Sequence, residues 1–237
     1  MSAGTASTIS SAHTRARRRP VGRVAALVGA LLAGVLGGVL AVAPPAQAVQ
    51  PLQALVVSDD PAGFTPHVLD GQVFAIAVVG NKVVLGGDFT RAQNASGGPV
   101  LTRNRILAFD RTTGIIDTAF VPVVDNKVRT LAPAADGQSV YVGGQFNSVN
   151  GSTSYKIARL NIANGQKVAG FNAGLVNALV YDLKVVGSRL FIAGQFTQVA
   201  NQNRSLLAEL DPTTGALRPS SWPAFAGTQN GGFTHSF

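Results

Sequence analysis

Three stretches of this chain superimpose on one another, at Val73 to Gly114, Val128 to Gly165 and Val180 to Gly215. Each reads as an apolar strand, a turn, a second apolar strand closing on Gly-Gly-x-Phe or a near match, a loop, a third strand, and Asp/Asn-x-x-x-Gly. The turn glycines Gly114, Gly165 and Gly215 are 51 and 50 residues apart, and Asp110, Asn161 and Asp211 keep the same spacing. The phenylalanines Phe89, Phe146 and Phe196 are 57 and 50 apart, because the first copy holds six extra residues within Arg91 to Arg103. A period of this length marks a modular array in which each unit buries its apolar face only against its neighbours. It also lowers the functional weight of whatever recurs, since a residue present in every copy serves the fold before it serves a single site.

The repeated unit reads as β structure. Val73 to Val79 is apolar at every position, as expected of a strand buried from both sides. Gly80-Asn81 and Gly187-Ser188 have the length and composition of tight hairpin turns, and the second copy uses the longer Ala135-Asp136-Gly137-Gln138. The glycines Gly86, Gly87, Gly143, Gly144 and Gly194 inside strands imply bulges or close backbone approach. Phe89, Phe146 and Phe196 after them fill space against a neighbouring module. A Gly-rich ligand loop is the competing reading, but no helix follows to supply an anion-binding N-terminus. Third strands are expected at Arg105 to Asp110, Lys156 to Asn161 and Leu206 to Asp211. Asp110, Asn161 and Asp211 then accept hydrogen bonds within a turn whose left-handed position falls to Gly114, Gly165 and Gly215. Short fourth strands end near Phe120, Phe171 and Trp222, with Phe64 in the equivalent place ahead of the first copy. The expectation is an all-β fold: a partial or truncated β-propeller of about three four-stranded antiparallel blades, near 73–120, 128–171 and 180–222.

The first 48 residues stand apart. Arg15, Arg17, Arg18, Arg19 and Arg23 precede the apolar run Val24 to Ala43, and Ala46-Gln47-Ala48 has the small residues of a cleavage site. This is read as an export signal, with a membrane anchor through residues 24–43 as the alternative. Residues 49–72 are expected to form an entry segment and outer strand, and 73–237 the blades with an incomplete C-terminal end. The whole chain carries a net charge of +8, but this head holds five arginines and no acid, leaving 14 basic against 11 acidic residues. Its basicity therefore does not describe a nucleic-acid-binding face. With no cysteine, the chain has neither disulfides nor thiol chemistry.

The run Val140-Tyr141-Val142-Gly143-Gly144-Gln145-Phe146-Asn147-Ser148-Val149-Asn150-Gly151, with Ile157 to Asn161 and Leu207 to Gly215, resembles the delta-60 repeat β-propeller family of secreted bacterial proteins. The resemblance covers roughly Phe64 to Trp222. It implies a module of secreted or cell-surface proteins, often found beside adhesion-type or carbohydrate-binding modules, and brings no catalytic residues with it. Two departures stand out: Ala193 replaces the first glycine of the motif, and only three copies are present. Propellers close with about four to eight blades, so pairing of two chains into a ring is one expectation and a fragment of a larger propeller another.

Chemistry-bearing residues are few. Beyond the head there are two histidines, His67 and His235, and one glutamate, Glu209, which rules out a three-histidine zinc site within one chain. No metal site or cofactor is expected. A glycosidase needs two carboxylates facing one bond; Asp88 is the sharpest candidate, because its counterparts are Gln145 and Gln195, but it has no identifiable partner. Residues that break the repeat carry more weight. These are Asn94 to Pro99 in the insertion, Arg91, Arg103 and Arg105 around it, and Tyr155 on the matching loop of the second copy, a set suited to acidic or sugar ligands. The reading is a secreted or surface-exposed, non-catalytic binding or adhesion module with a glycan or protein ligand. A carbohydrate-active enzyme is the alternative.

Overall fold

In a computed structural model the described residues are 63–219, all within the compact unit Val57–Phe237. Residues 1–62, which hold the expected export signal and most of the expected entry segment, and the tail from residue 220, with Trp222 and His235, lie outside them. Among the described residues every regular element is a strand.

Three antiparallel meanders carry the repeat. The first sheet orders Val73–Val79, Lys82–Gly87 and Ile106–Asp110; the second Val128–Pro133, Ser139–Gly144 and Ile157–Asn161; the third Val180–Val186, Arg189–Gly194 and Leu207–Leu210. The first strand of each sheet lies against the first strand of the next, so the sheets stack as propeller blades do. Between second and third strands each copy inserts a small hairpin: Arg91–Gln93 with Leu101–Thr102, Ser148–Val149 with Ser152–Thr153, and Gln198–Val199 with Gln202–Asn203. The six extra residues of the first copy lengthen only this hairpin.

The glycines are set by close approach. A Cβ on Gly87, Gly144 or Gly194 would sit 2.0, 2.1 or 2.1 Å from the carbonyl oxygen of Gln72, Lys127 or Leu179, the residue just ahead of each first strand. The glycine before it faces the next sheet: a Cβ on Gly86 would meet Val128 Cγ1 at 2.4 Å, and one on Gly143 would meet Val180 Cγ1 at 3.0 Å as well as Thr130 Cγ2 of its own sheet at 2.7 Å. Sheet-to-sheet contact thus bears on the first glycine, joined by Thr130 in the second copy, and contact within the sheet explains the second. Ala193 occupies the first position in the third copy, where the first strand of a following sheet is not among the described residues.

Three expectations change. The first strand is not buried on both sides: Val73, Ile76 and Val78 are 38%, 65% and 50% exposed. Their counterparts Val128 and Leu131 press on Gly86, and Val180 and Leu183 on Gly143, whereas no described sheet lies ahead of the first one. The fourth strand is reduced to one bridge per copy, Phe109 with Ile116, Leu160 with Lys167 and Leu210 with Leu217. In the first copy Asp117 Oδ1 accepts the amides of Ala119 and Phe120 and turns the chain away from the ladder. Third strands begin one residue later than expected, because Arg105, Lys156 and Leu206 are left-handed, with φ of 68°, 67° and 68°. Each exchanges backbone hydrogen bonds with the Gly-x-Phe turn, as Lys156 N does with Phe146 O and Gly144 N with Lys156 O.

Candidate functional site

The rim of the sheets where the small hairpins sit gathers most of the polar side chains singled out by sequence. Its geometry is fixed by a carboxylate or amide three residues ahead of each first strand. Asp70 accepts the amides of Thr90 and Arg91, Asp125 that of Asn147, and Asn177 those of Thr197 and Gln198. Each ties the incoming chain to the residues that follow the Gly-x-Phe turn. The Thr90 hydroxyl and amide, ahead of Arg91, hold the Asp70 carboxyl well below the ordinary carboxylate range. Sequence reasoning missed this position, although Asp70, Asp125 and Asn177 all stand three residues before the valine that opens a sheet.

Asp88 is bound on both oxygens. Lys127 Nζ lies 3.0 Å from Oδ2, and the Gln72 amide donates to Oδ1 at 2.6 Å. The hydrogen bond from Lys127, then that from Gln72, lowers its pKa. A carboxyl held ionised in this way suits charge pairing rather than proton donation to a leaving group.

The arginines of the first copy have separate settings. Arg91 is exposed and its Nε lies 3.4 Å from Asp70 Oδ2. Arg103 is buried, donating to the carbonyls of Thr102 and Asp117; burial lowers its pKa against the pull of Asp117. Arg105 is half-buried and donates to the Val124 carbonyl, which fastens the first sheet to the segment entering the second. Tyr155, 39% exposed, lines a different space: a cavity of about 430 Å³ shared with Ser154, Lys167, Phe171 and Asn172, and with none of the three arginines. Lys167 Nζ is anchored there on the Thr153 carbonyl at 2.7 Å.

A second cavity, of about 380 Å³, opens at the opposite ends of the strands between the second and third sheets, lined by Asp136, Tyr141, Arg159 and Pro212. Its polar groups face one another: Tyr141 Oη and Arg159 both donate to the Pro212 carbonyl, and Arg159 also pairs with Asp136 at 2.7 Å. The turn carboxylates are equally committed. Asp110 accepts the amides of Thr112 and Thr113, and Asp211 those of Thr213 and Thr214; Asn161 accepts that of Ala163. Among the described residues no group of three His, Asp or Glu side chains is arranged to hold a metal ion.

These bonds couple stability to pH. Asp70, Asp88, Asp110, Asp211 and Glu209 all have lowered pKa values in the folded chain. A carboxylate depressed by folding contributes stability that is present above its unfolded value, about 4, and is lost as pH falls through the folded value. Urea melts are therefore expected to give similar midpoints at pH 7 and 5.5 and a lower midpoint at pH 3. An unchanged midpoint at pH 3 would contradict these assignments.

A family described as "Domain of unknown function (DUF5122) beta-propeller" matches residues 135–166, the second copy from its hairpin turn to just past Gly165. The match agrees with the stacked antiparallel meanders, whose arrangement is that of β-propeller blades. Solved structures with a similar course include the computationally designed Ika4 protein, at 15% identity over 67% of this chain and 75% of that one, with a TM-score of 0.40. The designed Ika8 protein is 16% identical over 61% of this chain and 35% of its own, with a TM-score of 0.40. BamB from Moraxella catarrhalis is 18% identical over 50% of this chain and 39% of its own, with a TM-score of 0.27. The chain thus spans well under two thirds of the latter two. No curated protein matches it.

Proposed function

We propose that the chain is a delta-60-type β-propeller module, exported to the cell surface or medium, that binds a glycan or protein ligand without transforming it. The export reading rests on the arginine-rich head and apolar run of residues 1–48, and the family reading on the recurrent Gly-Gly-x-Phe and Asp-x-x-x-Gly motifs. The observation that carries the non-catalytic reading is the engagement of Asp88, the sharpest candidate acid in the sequence, with Lys127 and the Gln72 amide. The cavity beside Tyr155 supports ligand binding, since it joins an aromatic ring to hydroxyl, amide and ammonium groups.

The test sets the full-length chain against a glycan array and a panel of chromogenic glycosides. Retention of one glycan class, weakened by Tyr155→Ala, with no turnover by either wild type or Asp88→Asn, is the expected result. Turnover abolished by Asp88→Asn would establish the enzymatic alternative instead.

A further inference from the structure

Each first strand carries one bulge directly after its opening valine. The pairing with the second strand skips Phe74 in the first sheet, Arg129 in the second and Tyr181 in the third. A bulge takes one residue out of the ladder and re-aims its side chain. The flanking valines recur in every copy, but the skipped residue is phenylalanine, arginine and tyrosine in turn, so the repeat does not dictate its identity.

Two of these side chains meet across neighbouring sheets. The Arg129 guanidinium carbon lies 4.4 Å from the centroid of the Phe74 ring, and Lys127 Nζ lies 6.0 Å from the same centroid. Lys127 is paired with Asp88, whereas Arg129 has no carboxylate partner among the described residues, and its buried Nε has no acceptor. A guanidinium keeps its charge and offers five N–H donors in a planar fork. Stacking on a ring offsets part of its desolvation but satisfies none of those donors. Two cations lie near one ring, and the one carboxylate beside them is paired with Lys127, which leaves the Arg129 charge uncompensated among the described residues on a half-buried surface.

We propose that this spot, on the inner strands of the first two sheets, is an oxyanion site. Arg129 takes the carboxylate or sulfate group of a ligand on its fork, Lys127 adds the second charge, and the Phe74 ring holds the guanidinium in place. The proposal stands apart from the cavity beside Tyr155 and does not depend on what binds there.

The experiment is a titration of the full-length chain with sodium acetate and, separately, sodium sulfate, following the Arg129 Nε–Hε and Phe74 backbone amide resonances by NMR against sodium chloride at matched ionic strength, the Phe74 amide serving as the probe in the substituted chains. A saturable shift with acetate or sulfate that chloride does not produce is expected, the stronger anion identifying the ligand group. Arg129→Met should weaken binding at least about tenfold, because the charge-assisted fork is removed, and Lys127→Met should weaken it by a smaller factor. No saturable shift with either anion, or unaltered affinity in Arg129→Met, would overturn the proposal. If Arg129→Met does not fold, unaltered affinity in Lys127→Met overturns it.

Discussion

Gly144→Ala is expected to unfold or nearly unfold the domain. The added Cβ would lie 2.1 Å from the Lys127 carbonyl oxygen and 3.1 Å from the Arg129 amide nitrogen. Both are backbone atoms, so no side chain can rotate away. That carbonyl also accepts the Gln145 amide at 2.9 Å, and displacing it would break the bond that fixes the entrance to the second sheet. A loss of roughly 4 kcal/mol or more is expected for a clash of this kind, which lowers the melting temperature by about 10 °C or more in a domain of this size. Gly137→Ala is the control. Nothing lies within 4 Å of its added carbon, and only its left-handed φ of 63° opposes the change, at a cost of about 1–2 kcal/mol. Thermal melts of the two variants separate steric necessity from turn preference; equal losses would contradict the account.

Phe146→Ala is expected to cost about 3–5 kcal/mol, the range for emptying a fully buried aromatic site. Phe146 has no exposed surface and belongs to the core formed between the first and second sheets, with Val84, Ile106, Val128 and Val142. Its neighbours are strands locked in register, so the cavity left behind cannot collapse freely. Phe196 holds the same position between the second and third sheets, and its truncation is expected to cost a similar amount. Tyr155→Ala provides the contrast, since a side chain on the cavity rim should change stability by less than about 1 kcal/mol. Chemical denaturation of the variants checks the ordering. A Phe146→Ala chain as stable as the parent would mean that the recurrent aromatic does not fill an intersheet core.

Much of this architecture was legible in the sequence because its constraints are local and periodic. The second glycine and the hydrogen bonds of the Asp/Asn-x-x-x-Gly turn answer to contacts inside one unit, and the phenylalanine to a junction that successive units repeat, so all recur in register. Features that depend on whether a neighbour is present were not legible. Val73 to Val79 is as apolar as a strand covered on both faces, but apolarity does not reveal whether a sheet lies ahead of it, and Ile76 is largely exposed. Arg103, beside a loop insertion, has the composition of a solvated ligand-binding residue, but its guanidinium reaches two backbone carbonyls and is buried. The left-handed Arg105, Lys156 and Leu206 were hidden because three unlike side chains share one backbone conformation imposed by the turn. The candidate ligand residues were identified singly; the structure sets Tyr155 in a cavity lined by none of the three arginines.

The stacking of the three sheets through their recurrent glycines is tested most directly by methyl NOE spectra of the full-length chain. Strong cross-peaks are expected from the Val128 methyls to the Gly86 Hα protons and from the Val180 methyls to those of Gly143, since a Cβ at those glycines would touch these valines. Absence of both, in a chain that retains strand pairing within each meander, would show that the repeats fold without packing on one another and would contradict the account.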